Sequence, residues 1–175
     1  PLTTIAPGAV VPLIFGLLAH SRGGLPGDLL TRAIVSASDC SQDQLGDIED
    51  AVHHLLPQVR PFLARRMGRN DFFYESFSTA ARERYTDDSP SAVSGAQPSD
   101  AWHRLLVRQC DGLASLTGVA RQYALASRIH HKLAADDEEG AARSVAEFAY
   151  QFQRLRSLGP MEAHRLMGDM RRVLG

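Results

Sequence analysis

The segment from Leu56 to Tyr85 constrains the fold more than any other part of this chain. Two short aromatic or branched runs, Pro61–Leu63 and Phe72–Tyr74, flank the turn-rich loop Met67-Gly68-Arg69-Asn70. This pattern predicts a tight antiparallel β-hairpin. A helix rich in Arg and Glu is predicted to follow the hairpin, over residues 77–85.

Three helices are predicted before the hairpin. Pro12 suits the first turn of a helix that ends near His20, and Leu25-Pro26-Gly27-Asp28 opens a second that reaches about Val35. A third helix covers roughly residues 42–56. Three helices, a hairpin and a further helix follow the order of a winged-helix fold. Because winged helices serve both as DNA readers and as buried regulatory parts of signalling ATPases, the fold leaves the function open.

The second half of the chain is predicted to be a separate helical unit. Residues 86–99 are small and polar and contain Pro and Gly, so we expect a mobile linker there. The predicted fold class is mainly α, a winged-helix-like unit with a short β-hairpin followed by an antiparallel helical bundle. The predicted domains are therefore residues 1–85 and 100–175, joined by that linker.

Four amphipathic stripes predict four helices in the second half. The first two stripes are centred on Trp102 and Tyr123. We expect the last helix to pack against a partner outside this chain. The third stripe comprises Val145, Phe148, Ala149, Phe152 and Leu155.

The composition of the chain limits the classes of function that it can have. The net charge of −1 does not favour nucleic acid as a partner. Cys40 and Cys110 stand far apart, which is typical of a reduced cytosolic protein. The apolar run over residues 8–19 is too short to span a bilayer, so we expect a buried helix, no membrane contact and a cytoplasmic location.

Catalytic and metal motifs find little support in the sequence. His53-His54 and His130-His131 are adjacent pairs, and adjacent helical positions point about 100° apart rather than at one ion. No carboxylate stands at ligand spacing beside either pair, and neither a nucleophile motif nor a phosphate-binding loop is present. We therefore predict no catalytic residue, no metal and no cofactor in this chain.

Arginines cluster on the predicted hairpin, at Arg60, Arg65, Arg66 and Arg69. One interpretation is that Arg65, Arg66 and Arg69 contact phosphate groups. The other, which we favour, is that the arginines lie in solvent along the hairpin edge and prevent another strand from pairing with it. The third helix carries acidic side chains at Asp43, Asp47, Glu49 and Asp50. Carboxylates facing phosphates have the wrong sign, so nucleic acid is an unlikely partner.

Several short motifs together resemble a known family. They are Pro12-Leu13-Ile14, Arg22-Gly23-Gly24-Leu25, Val59-Arg60-Pro61-Phe62-Leu63, Asp71-Phe72-Phe73-Tyr74-Glu75-Ser76-Phe77, Arg82-Glu83-Arg84-Tyr85, Trp102-His103-Arg104-Leu105-Leu106 and Arg121-Gln122-Tyr123-Ala124-Leu125. In this order they resemble the winged-helix domain and following helical region of bacterial STAND-class, NACHT-type signalling NTPases. The likeness spans nearly the whole chain.

The resemblance implies a regulatory role without catalysis. It implies ATP or ADP on an upstream domain, with that nucleotide-binding domain and sensor repeats, or further copies of the chain, as partners. It places Tyr74 near the nucleotide, where many family members have His, and a Tyr hydroxyl cannot become a cation near neutral pH. Core or interface roles are expected for Phe62, Phe72, Phe77, Trp102, Tyr123, Phe148 and Phe152. The alternative is a winged-helix DNA-binding transcription regulator with a helical dimerisation half.

Overall fold

The computed structural model describes residues 7–38, 45–87, 96–159 and 162–174. Within these ranges the helices are α1 (Pro7–His20), α2 (Gly27–Ala37), α3 (Leu45–Val59), α4 (Glu75–Tyr85), α5 (Ser99–Asp111), α6 (Gly118–Ala134), α7 (Glu138–Ala146), α8 (Phe148–Leu158) and α9 (Glu162–Leu174). The strands are β1 (Leu25–Pro26), β2 (Leu63–Arg66) and β3 (Arg69–Phe72). The predicted fold class, mainly α with a short β-hairpin and a helical bundle, is confirmed.

The first half has the topology of a winged helix. Its elements follow the order α1, β1, α2, α3, β2, β3, and the antiparallel sheet has the strand order β1-β3-β2. The sequence missed β1, which pairs Leu25 with Asn70 and Pro26 with Arg69. Two residues are too few to show the alternation by which a strand is recognised.

The β-hairpin turns more tightly than predicted. Met67 and Gly68 have φ values of 49° and 77°, and Arg66 pairs with Arg69 on either side of them. Two consecutive residues with positive φ make the two-residue turn whose twist matches that of antiparallel strands. Arg69 and Asn70, predicted to lie in the loop, therefore belong to β3.

The first hydrophobic core crosses the segment predicted as a linker. It joins α1 to α4 with α5 and the first half of α6, and it includes Phe72, Trp102 and Tyr123. The Trp102 indole lies against α1 at Gly16 and donates a hydrogen bond from Nε1 to the Tyr85 carbonyl at 3.1 Å. The two predicted domains thus share one core. Of the predicted linker, residues 88–95 lie outside the described residues.

A second, smaller core lies among α6 to α9. It is built on Leu125, Ile129, Ala141, Val145 and Tyr150. The sequence predicted one helix where the structure has α7 and α8, because Glu147, with φ −74° and ψ 95°, interrupts the helical backbone between them. That interruption changes which side of α8 faces the protein.

Candidate functional site

Four aromatic side chains form an exposed cluster where the hairpin meets α4. This cluster, the wing patch, comprises Phe62, Phe73, Tyr74 and Phe77. The Phe73 amide donates to the Phe62 carbonyl at 2.9 Å, which continues the hairpin beyond β3 and brings Tyr74 to the N-cap of α4. Ring centroids of Phe62 and Phe77 lie 5.5 Å apart and those of Tyr74 and Phe77 lie 5.7 Å apart, both near edge-to-face. The patch is thus held together by aromatic contacts on its own surface.

Tyr74 is well placed to meet a partner. Its side chain is 59% exposed. It lines a cleft of about 300 Å³ together with Arg66 and Ser78. The hydroxyl and the guanidinium are both donors, but the carboxylates of Asp71 and Glu75 also line this cleft, so its polar lining is of mixed charge. Contact between Tyr74 and a nucleotide stays a prediction.

The arginines of the hairpin do not all face solvent. Arg65 and Arg66 are exposed, whereas the Arg69 guanidinium lies 5.4 Å from the centre of the Tyr123 ring. The Arg69 Nε atom is buried without a hydrogen-bond partner. A cation over an aromatic face is stabilised there, so Arg69 is turned into the protein. Arg65 and Arg66 are the more accessible of the three, and phosphate contact by these arginines stays a prediction.

The outer face of α3 is acidic. Asp47, Glu49 and Asp50 are all exposed, beside the exposed pair His53 and His54. Asp43, the other carboxylate predicted on this helix, lies outside the described residues. In a winged helix this face would enter the DNA groove, where carboxylates are repelled by the phosphates.

The residues predicted for core or interface fall into two groups. Phe72, Trp102 and Tyr123 are buried in the first core. Four others keep large exposed fractions and are not core residues of this chain: Phe62, Phe77, Phe148 and Phe152. For these four, an interface is the predicted role that fits their exposure.

Helix α8 faces the protein with its polar side. Phe148 is 81% and Phe152 54% exposed, and their rings stack on each other in solvent, 6.3 Å apart. The buried residues of this helix are Tyr150, Gln151 and Arg154. The predicted third stripe is therefore wrong beyond Val145, because the break at Glu147 resets the helical phase. We call the surface of Phe148, Phe152 and Leu155 the α8 face.

Three histidines converge between α5 and α6, in a cluster that the sequence pattern did not predict. Atoms that can bind a metal on His103, His130 and His131 all lie within 4.8 Å of one another. The ring centre of His103 is 5.8 Å from that of His130 and 5.2 Å from that of His131. Adjacency on α6 was the reason for rejecting a site, but His103 approaches both rings from the facing helix. A spacing of 28 residues between His103 and His131 carries no sequence signal.

Burial keeps these histidines neutral. It lowers the pKa of His103 to about 4, with further lowering by His20, His130 and Arg82. The pKa of His131 lies well below its usual value, first because of burial and then because of the other histidines and Arg22. The pKa of His130 is also lowered, chiefly by burial. Neutral imidazole has one nitrogen with a free lone pair, which is the form that binds metals.

The cysteines offer no reactive thiolate in the described part of the chain. Burial raises the pKa of Cys110 to about 12, so its thiol is protonated at neutral pH. A protonated, fully buried thiol is a poor nucleophile. Cys40 lies outside the described residues.

Comparison with protein-family models, with curated proteins and with solved structures gave no match. Among the described helices, none combines the length and apolar character needed to cross a bilayer.

Proposed function

We propose that the chain is a non-catalytic regulatory and oligomerisation module of a STAND-class, NACHT-like ATPase, which couples a sensor to a nucleotide-binding core. The wing patch is the observation that carries this proposal. It exposes four aromatic side chains on a hairpin and helix that the sequence likeness assigns to contact with such a core. Contiguous exposed aromatics are typical of protein interaction surfaces.

The charge on either side of the patch supports a protein partner. Arg65 and Arg66 lie on the hairpin, Glu75 begins α4, and the outer face of α3 is acidic. A surface of mixed sign around an apolar centre suits a protein better than a polyanion. The α8 face gives the module a second exposed apolar surface, as a part with two partners requires.

The mechanism is a change between two packed arrangements. With ADP bound, the wing patch packs on the core, and Tyr74 and Arg66 lie beside the nucleotide. Engagement of the sensor separates the patch from the core and frees surfaces for assembly. Such a rigid-body switch needs a rigid arm, and the shared core at Trp102 makes the winged helix and α5 one unit.

The proposal predicts a phosphate loop of the form G-x-x-x-x-G-K-[ST] upstream in the same reading frame. It also predicts that ADP is released faster when contact between the wing patch and the core is weakened. In that whole polypeptide we expect Phe73→Ser with Tyr74→Ser to speed ADP release by roughly tenfold or more, since loss of an aromatic anchor at an interface is worth about 2 kcal/mol. Fluorescent-ADP release measures this rate.

Met67→Ser is the matched control, because Met67 lies at the tip of the same hairpin, outside the patch, with 93% of its side chain exposed. It should leave the release rate unchanged. A reading frame without a phosphate loop, or equal rates for the patch variant and the control, would sink the proposal.

The DNA-reading alternative makes a separate prediction. A DNA reader should bind random duplex DNA in the range of roughly 10⁻⁴ to 10⁻⁶ M, with affinity that falls steeply as salt increases. From the acidic α3 face and the inward turn of Arg69, we expect no such binding at low salt by fluorescence anisotropy. Salt-sensitive binding that disappears in Arg65→Gln with Arg66→Gln would instead favour the DNA reader.

A further inference from the structure

The three-histidine cluster brings enough nitrogen atoms together to hold a metal ion. His103 Nδ1 and His131 Nδ1 face each other at 3.0 Å. Two nitrogens at this distance must either share a proton or point both lone pairs at a cation. Nitrogen ligands about 2.0–2.1 Å from a tetrahedral Zn²⁺ are themselves a little over 3 Å apart, so this separation already approaches that of a bound pair.

The outer contact of His131 is compatible with the tautomer that a metal site needs. Its Nε2 lies 2.8 Å from the Tyr123 hydroxyl. When His131 carries its proton on Nε2, the Tyr123 hydroxyl oxygen accepts that N–H. Metal-binding histidines usually donate their second N–H to such a partner, which leaves the other nitrogen free for the metal.

The cluster opens on one side to a cationic cleft. A cleft of about 490 Å³ is lined by His103 and His130 together with Ser21, Arg22, Arg82 and Ser99. The two guanidiniums disfavour a bare dication, while they favour an anion bound to it. Asp100 and Asp169 also act on His103 and His130, but they are paired with Arg104 and Arg154, so they offset little of the positive charge. An ion held here would therefore carry hydroxide or another small anion on its open side.

We propose that His103, His130 and His131 bind one Zn²⁺ ion, with the fourth coordination position open to this cleft. Three histidines with one open position form a common zinc coordination set. The ion would join α5 to α6 directly beside the winged-helix half. The proposal does not depend on the ATPase assignment.

The test is zinc binding to chelator-treated protein near neutral pH, by equilibrium dialysis with metal analysis and by thermal melting. We expect one Zn²⁺ per chain and a melting temperature that rises with zinc concentration. His130 is half-buried at the edge of the cluster, so His130→Gln should keep the fold and weaken binding by more than the roughly 100-fold that marks the upper range for loss of an outer partner. Tyr123→Phe should weaken binding by about 10–100-fold, as loss of an outer partner does.

The control is His53→Gln with His54→Gln, which removes an adjacent and exposed histidine pair from α3. Zinc affinity should not change in this variant. The inference is overturned if the unaltered chain binds no zinc at micromolar concentration. It is equally overturned if His130→Gln, folded by circular dichroism, binds zinc as tightly as the unaltered chain, or if the His53/His54 variant loses binding.

Discussion

Replacing Arg154 by methionine is expected to lower the free energy of unfolding by roughly 3–5 kcal/mol. Arg154 is 0% exposed, and its partners Glu162 and Asp169 are 4% and 3% exposed. Its guanidinium donates to Glu162 at 2.6 and 2.9 Å and to Asp169 at 2.8 Å. Burial alone would lower the pKa of Arg154, but these hydrogen bonds raise it, so the side chain stays charged. Methionine roughly keeps the length of the side chain, leaves Asp169 without its ion-pair partner, and leaves Glu162 with only the 3.4 Å contact to the exposed Arg165.

Urea denaturation followed by far-UV circular dichroism measures the loss. Arg143→Met is the matched control, because Arg143 pairs with Glu139 on α7 while both side chains are largely exposed. That pair should contribute less than about 1 kcal/mol. Changing Glu162 and Asp169 to leucine in the Arg154→Met background should restore much of the stability, because buried ion groups are often replaceable as a set. Equal losses in Arg154→Met and Arg143→Met would show that the buried network does not hold α8 on α9.

This network also shows why the sequence misled on α8. Hydrophobic periodicity assigns apolar residues to the inside, and Phe148 and Phe152 have the right spacing for that. Arg154 reverses this inside-outside assignment because its partners Glu162 and Asp169 lie on the next helix, α9. They are 8 and 15 residues further along the chain. A buried arginine cannot be told from a solvated one without those partners.

The first half was predictable because its signals are local. The turn at Met67-Gly68 and the aromatic runs around it are all carried by neighbouring residues, and they led to the hairpin and α4. The candidate zinc site was not predictable, since His103 meets His131 through the packing of α5 on α6. Tyr74 could be named from sequence likeness, but its grouping with Phe62 and Phe77 needed the fold.

Removing the Trp102 side chain is the second change expected to have a large effect on stability. Trp102→Ala should destabilise the chain by roughly 3–5 kcal/mol, because the ring is fully buried and joins α5 to α1. The space around it is tight as well. A Cβ atom added at Gly16 would lie 2.4, 2.5 and 2.8 Å from three atoms of the indole. Gly16→Ala should therefore also destabilise, by about 1–3 kcal/mol, although alanine favours a helix more than glycine does.

A double-mutant cycle of Gly16→Ala and Trp102→Ala, measured by urea denaturation, tests whether the two positions are energetically coupled. With the indole absent, the new methyl group at position 16 meets no ring, so Gly16→Ala should be neutral or stabilising in the Trp102→Ala background. Gly168→Ala is the matched control, since Gly168 also lies within a helix and a Cβ there meets nothing within 4 Å. It should stabilise by up to about 1 kcal/mol. If Gly16→Ala behaves like Gly168→Ala while Trp102 is present, the indole does not rest on α1, and the shared core that joins the two halves of the chain is wrong.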